Sequence, residues 1–290
     1  MRLRSSLLLF VALLLPGSSG LHATSTAAGA PSATAAPFMP DGPPARAVVW
    51  AVGDGAGGPN AGSVGRLLVR GRPDVFIYLG DIYPHGTRQA FRTAYKPVFG
   101  GLARRTAPTP GNHDWPVHTT GYDPYWRGIH GRRTPEWYSF RAGGWRLIEL
   151  NSETGHRSEQ LAWLKTQLRE AGDCRLAFWH RPRFSAGLHG DGPDMDPYWQ
   201  ALQGHASLVL SGHDHDMERF RARGTLTQLV AGSGGKSHYA VDRSHPGLAF
   251  ANDRLYGALR IDLAPGSARL AFFATDGSLL DTTVVPCRTH

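Results

Sequence analysis

The stretch LVLSGHDHDMERF, residues 208–220, begins as a continuous apolar run and ends in a glycine and a cluster of His, Asp and Glu. Leu208, Val209 and Leu210 do not alternate with polar residues, so they predict a strand covered on both faces rather than one half exposed to water. Gly212 gives the backbone freedom to turn at the strand's end. The same design recurs along the chain: apolar runs end in VGDG (52–55), LGDIY (79–83), PGNHD (110–114) and FWHRP (178–182). One polar strand end carries little meaning. Five of them, each delivering Asp, Asn or His, form a constellation.

The segments between the runs are helical or turn-like. AGSVGRLLVRG (61–71) predicts a helix, and RQAFRTAYKPVFGGL (88–102) a helix broken near Pro97. WYSFRAGGWRLIELN (137–151) predicts a hairpin turning at Gly143 and Gly144. In SEQLAWLKTQLREAGD (158–173), Leu161, Leu164 and Leu168 repeat at helical spacing, with Ser158 as N-cap and Gly172 as stop. Beyond Leu255, alternating runs with turns at Pro265-Gly266 and Asp276-Gly277 predict antiparallel strands. The pattern is α/β with added antiparallel strands, and ligands of such sheets gather where the strands' carboxyl ends meet.

The chain has 290 residues, 41% of them hydrophobic and only 19% charged, which suits a large core and excludes a disordered composition. Its net charge of +8 favours anionic partners. No basic run is interleaved with aromatics, so no specific nucleic-acid binding is expected. Residues 1–22 have two arginines, a short apolar stretch (7–15) and a small-residue exit, the layout of a secretory signal peptide. That stretch is too short to span a bilayer, so no stable membrane anchor is expected and the protein is read as secreted, extracellular or periplasmic. Residues 23–45, rich in Ala, Thr, Ser and Pro, read as a flexible tether ahead of a catalytic domain at 46–290. The two cysteines, Cys174 and Cys287, are expected to form a disulfide in an oxidising compartment.

Carboxylate, amide oxygen and imidazole without thiolate suit transition-metal ions better than a structural zinc. Asp54, Asp81, Asn112, His180, His213 and His215 exceed what one ion takes, and two ions sharing a carboxylate suit hydrolysis of a phosphate ester. The order GD, GD, GNHD, H, GHDH resembles the calcineurin-like metallophosphoesterases, and among them the purple acid phosphatases and their bacterial relatives, from about Ala47 to Gly235. The resemblance implies a four-layer α/β/β/α sandwich of two mixed β-sheets flanked by helices. It implies Asp54, His215 and Tyr83 on a first ion, Asp81 bridging, and Asn112, His180 and His213 on a second. It also implies His113 beside the phosphate with Asp114 orienting it, and His189 as general acid. Asp214 and Asp216 stay out of the ligand set.

The first block departs from many metallophosphoesterases, which carry a ligand histidine two residues after the aspartate; here that position is Ala56. Purple acid phosphatases also lack it and use a tyrosine near the second aspartate, one residue further along than Tyr83. With the phenol bound, the resemblance implies Fe(III) paired with Fe(II), Zn(II) or Mn(II). The expectation is a secreted, acid-phosphatase-like hydrolase of small-molecule phosphate monoesters acting through a metal-activated hydroxide. The alternatives are a phosphodiesterase acting on nucleotides or lipid head groups, and a secreted metal- or phosphate-binding protein without turnover.

Overall fold

In a computed structural model of the chain, residues 38–170 and 172–287 are described. The expected signal peptide lies outside them, as does most of the expected tether. The first three apolar runs form parallel neighbours β1 (Ala47–Val52), β2 (Val75–Tyr78) and β3 (Thr106–Pro108). The chain then builds a second sheet. It starts with the predicted hairpin of β4 (Tyr138–Ala142) and β5 (Trp145–Glu149), turning on Gly143 and Gly144, both at positive φ. β6 (Cys174–Phe178), β7 (Leu208–Ser211), β8 (Met217–Phe220), β9 (Thr227–Ala231) and β10 (Leu248–Asn252) follow. The tail returns to the first sheet as the predicted antiparallel meander β11 (Gly257–Ala264), β12 (Ser267–Ala274) and β13 (Leu279–Pro286). The orders are β13-β12-β11-β1-β2-β3 and β10-β8-β9-β7-β6-β5-β4, so the first sheet is parallel at its β1-β2-β3 end and the second at its centre, each continued by antiparallel strands.

Helix α1 (Ala61–Gly71) fills the crossover from β1 to β2. The segment expected to break near Pro97 runs on instead, as α2 (Arg88–Ala90), a π turn (Phe91–Tyr95) and α3 (Lys96–Phe99). Pro97 sits in the first turn of α3, where a missing N–H costs little, and the wider turn before it relieves the ring's clash. α4 (Tyr122–His130), α5 (Arg157–Leu168) and α6 (Asp196–Leu202) complete the helices. Ser158 is not the N-cap of α5. His156 occupies that position without a side-chain cap, and the Ser158 hydroxyl donates to Glu159 Oε2. α5 ends at Leu168, and Gly172 makes its left-handed turn beyond it.

Side chains sort by parity. Leu176, Phe178, Leu208 and Leu210 share a core with Val49 and Ile77 of the first sheet. Ala177, Val209 and Ile148 pack on the other side against Leu164 and Leu168 of α5 and Trp199 and Leu202 of α6. Two sheets therefore face each other with helices outside, the expected four-layer arrangement. The expected bridge is present: Cys174, opening β6, is bonded to Cys287, just past β13. The folded body begins before residue 46. Phe38 packs edge-on against His130 and Tyr138, and Met39 is buried. The Gly42 N–H donates to Arg141 O and the Gly143 N–H to Pro43 O, which caps the outer edge of β4. An average over residues 23–45 hides this apolar pair, and an unpaired edge strand gives it something to cover. No helix among the described residues is long and apolar enough to cross a membrane.

Candidate metal centre

β1, β2 and β3 of one sheet and β6 and β7 of the other bring their carboxyl ends to one place. Asp54, Asp81, Asn112, His180, His213 and His215 follow those strands. Three of these residues, Asp54, Asp81 and His213, have φ of 59°, 64° and 74°. That left-handed region disfavours side chains with a Cβ by about 1–2 kcal/mol each, so the surrounding packing holds them there. The backbones also approach closely. A Cβ on Gly111 would lie 2.0 Å from Asp81 Oδ1, and one on Gly212 would lie 2.6 Å from Asp54 Oδ2.

Each carboxylate is anchored through one oxygen and aimed through the other. The His213 N–H donates to Asp54 Oδ2 (2.9 Å) and the His113 N–H to Asp81 Oδ1 (2.9 Å). The histidines are fixed likewise. His180 Nδ1 donates to Leu79 O (2.7 Å) and His215 Nδ1 to Ser237 O (2.8 Å), so both turn Nε2 inward. The inward atoms form two groups. In one, the Tyr83 hydroxyl lies 3.2 Å from Asp54 Oδ1, 3.2 Å from Asp81 Oδ2 and 2.7 Å from His215 Nε2. In the other, His180 Nε2 lies 3.1 Å from Asn112 Oδ1, 3.2 Å from His213 Nδ1 and 3.5 Å from Asp81 Oδ2. Asp81 Oδ2 belongs to both. Asp54, Asp81 and His180 present donor atoms all within 4.8 Å of one another, a group that could hold an ion. Tyr83, one residue early by family spacing, still reaches the first group.

The electrostatics fit a cation. Burial, then the Asp81 charge, pushes the Asp54 carboxyl well above its usual range, against the lowering pull of the His213 N–H and Tyr83 hydroxyl. Burial, followed by Asp54 and Asp81, pushes the Tyr83 phenol far upward. Burial, then His180, holds His213 far below the usual histidine value, and burial pushes His215 down to about 4. Buried acids are thus joined by imidazoles that stay neutral and offer lone pairs. A bound cation reverses the penalty on every one of these groups. With oxygen and nitrogen donors and no thiolate, the set fits transition-metal ions.

Residues 49–217, more than half of the chain, match the family described as calcineurin-like phosphoesterase. The chain belongs to that family. A protein of Mycobacterium tuberculosis described as uncharacterised is 27% identical over 205 residues, 58% of this chain. The chain spans only 39% of that relative's length. GAP50, the anchor in the inner membrane complex of Plasmodium, superposes with TM-score 0.70 at 16% identity, over 84% of this chain and 90% of that one. The purple acid phosphatase PPD1 from yellow lupin seeds gives 0.65 at 15%, over 84% and 54%. A dimetal phosphatase from Danio rerio gives 0.57 at 13%, over 87% and 100%. At such identities these neighbours share a fold. The family's own chemistry is metal-dependent hydrolysis of phosphoric esters.

The remaining residues expected at the phosphoesterase site divide. His113 is there, its Nε2 3.8 Å from Asp81 Oδ2 and its Nδ1 donating to Pro84 O. Asp114 does not orient it. Its buried carboxylate instead accepts the N–H groups of Asp81 (2.8 Å), Ile82 (3.0 Å) and Gly111 (3.0 Å), tying two ligand loops together. A backbone carbonyl does the orienting, which side-chain motifs cannot announce. His189 stacks on His213 with ring centroids 4.0 Å apart, and its Nδ1 lies 2.8 Å from Asp214 Oδ1. Asp214, outside the ligand set as expected, is therefore the partner of His189, with the Ser185 hydroxyl donating to it as well (2.5 Å). The sequence reading missed that role, although alternation with His213 and His215 already aimed Asp214 the other way. It also missed Tyr239, stacked on His215 at 4.1 Å, and Arg181, whose Nη1 lies 3.2 Å from His213 Nε2. Lys236, closing the stretch GSGGK (232–236), sits over the Tyr83 ring at 4.7 Å.

Proposed function

We propose that the chain is a secreted, acid-phosphatase-like enzyme that hydrolyses phosphate monoesters at a two-metal centre. The observation that carries this reading is that Asp81 Oδ2 is the atom common to two separate donor groups. Asp54, Tyr83 and His215 would hold the first ion and Asn112, His180 and His213 the second, with Asp81 available to both. When bound, such ions supply Lewis-acid polarisation of the phosphate and a water acidic enough to attack at ordinary pH. The chain's own residues do the rest. His113, held by Pro84 O, faces the phosphate with Nε2, where its imidazolium form can donate to the charge that develops on oxygen. His189, held by Asp214 through Nδ1, presents Nε2 to the leaving oxygen and supplies its proton.

The monoester preference is supported by the first block, where Ala56 replaces a histidine and Tyr83 comes in beside Asp54, the arrangement similar to purple acid phosphatases. Tyr83 also supports iron as the first ion. Secretion is supported by the leader-like residues 1–22 and by the Cys174–Cys287 bridge. The fold does not decide turnover, since GAP50 shares it as an anchor protein; the donor set favours turnover here.

One purification tests this. Elemental analysis is expected to find two ions per chain, with a visible tyrosinate-to-iron band that vanishes in Tyr83→Phe. Monoesters are expected to turn over faster than diesters, and Asn112→Ala and His213→Ala to abolish turnover in folded protein. A colourless, iron-free, active protein overturns the iron assignment. Two bound ions with no hydrolysis of any monoester or diester overturn the enzyme.

A further inference from the structure

Beside the metal centre lies a cavity of about 280 Å³ that His189 and His213 share with Arg181, Arg157, Asp191 and Asp194. His189, proposed above to protonate the leaving oxygen, lines it, so on that reading the group esterified to the phosphate faces this cavity. Arg181 follows His180 directly, and its guanidinium is held from behind. Its Nε lies 2.9 and 3.1 Å from the two Glu153 oxygens, and its backbone N–H donates to the Ser152 hydroxyl (3.1 Å). That leaves the Nη1 and Nη2 end of the fork toward the cavity. Nη1 has one acceptor, His213 Nε2 at 3.2 Å, and Nη2 has none among the described residues.

His213 turns Nδ1 to the second donor group and Nε2 to Arg181, so the guanidinium lies between the metal centre and the cavity. The cavity's own carboxylates are engaged elsewhere. Asp191 accepts from the Ser185 N–H and pairs with His245, and Asp194 pairs with Arg157 at the rim. A fixed planar fork whose Nη2 end has no partner among the described residues suits an oxyanion better than a neutral or apolar group.

We propose that Arg181 is a specificity-determining residue that selects phosphate monoesters whose leaving group carries a second anionic group, a carboxylate or another phosphate. This rests on the two-metal reading above, since it uses the same site. The test compares 4-carboxyphenyl phosphate with 4-carbamoylphenyl phosphate, of the same shape but neutral, in wild type, Arg181→Gln and Arg181→Lys. 1,4-Phenylene bisphosphate provides the phosphate arm. The wild-type kcat/KM ratio of carboxylate to amide is expected to fall about tenfold in Arg181→Gln, mainly through KM, and to recover in part in Arg181→Lys, which keeps the charge but not the fork. In each protein, calorimetric binding of 4-carboxybenzylphosphonate and 4-carbamoylbenzylphosphonate is expected to give the same order. A ratio unchanged in both variants, in turnover and in binding, overturns the assignment. If neither ester is turned over, the hydrolase reading fails, and the phosphonate affinities still decide the role of Arg181. A bisphosphate handled like the amide while the carboxylate is preferred restricts the class to carboxylates; the reverse restricts it to phosphates.

Discussion

Glu149, the last residue of β5, is fully buried, and neither of its oxygens has a hydrogen-bond partner among the described residues. The hydroxyls around it are committed: Tyr122 and Tyr138 both donate to Pro108 O, and Thr109 donates to Leu150 O. Burial therefore pushes its carboxyl well above the usual carboxylate range, against the weaker lowering pull of the nearby Thr109 hydroxyl. The folded state keeps a proton that the unfolded chain releases near pH 4.3. Stability is then full below that value and is lost as the pH rises toward the raised folded value, at about 1.4 kcal/mol per pH unit. Glu149→Gln keeps the shape and removes the titration. Relative to it, wild type is expected to lose stability in urea unfolding as the pH rises above about 4. A difference between the two proteins that stays flat with pH defeats this account. Glu149 lies inside a run that reads as an ordinary strand, WRLIELN, so sequence gives its place but not its isolation. Asp114 teaches a similar lesson. Its type and position were legible, but its three partners are backbone N–H groups on two loops, and no side-chain pattern encodes those.

At the scale of elements, the strands' carboxyl ends place the ligands, and glycines let the loops between them touch. Gly111 separates Pro110 from Asn112 and lies against Asp81, where an added Cβ would meet Oδ1 at 2.0 Å. Gly111→Ala must push back the shared carboxylate, its helper N–H from His113, or both. Metal affinity is expected to fall by about 10- to 100-fold, as when a supporting contact around a ligand is lost. The melting temperature of the metal-free protein is expected to change little, because β2 and β3 are untouched. Elemental analysis after dialysis reads this directly, and full metal retention in Gly111→Ala would falsify the crowding argument. What was readable here is what depends on local order: apolar runs, the Gly143-Gly144 turn, and the residue types at five strand ends. What was not readable depends on distant partners. Ser158 failed as N-cap because the chain entering from Thr154 sets the start of α5, the Thr154 hydroxyl accepting the His156 N–H. Pro97 failed as a helix break because a π turn precedes it.

At the scale of the whole molecule, β13 is the outer strand of the first sheet and has only β12 beside it. An ion pair and a disulfide tie it to the second sheet. Arg219 of β8 donates through Nε and Nη2 to the two oxygens of Asp281 (2.7 and 2.9 Å), and Cys287 is bridged to Cys174 at the start of β6. The cysteine pairing was legible because only two cysteines exist, whereas the Arg219–Asp281 pair, 62 positions apart, was not. The bridge closes a sequence separation of 113 residues, for which chain entropy predicts about 4 to 5 kcal/mol of stabilisation. For a domain of this size that corresponds to a melting temperature lower by roughly 10 °C in Cys287→Ser. The ligand loops lie at the carboxyl ends of the strands and Cys174 at the opposite end of β6. Metal content and turnover at 25 °C are therefore expected to survive the substitution, so that stability and activity separate. A melting temperature lowered by less than about 2 °C would mean that Arg219–Asp281 and the packing of β12 hold the edge without the bridge. Loss of metal at 25 °C would mean instead that the meander supports the site, coupling the last strands of the chain to ligands on the first.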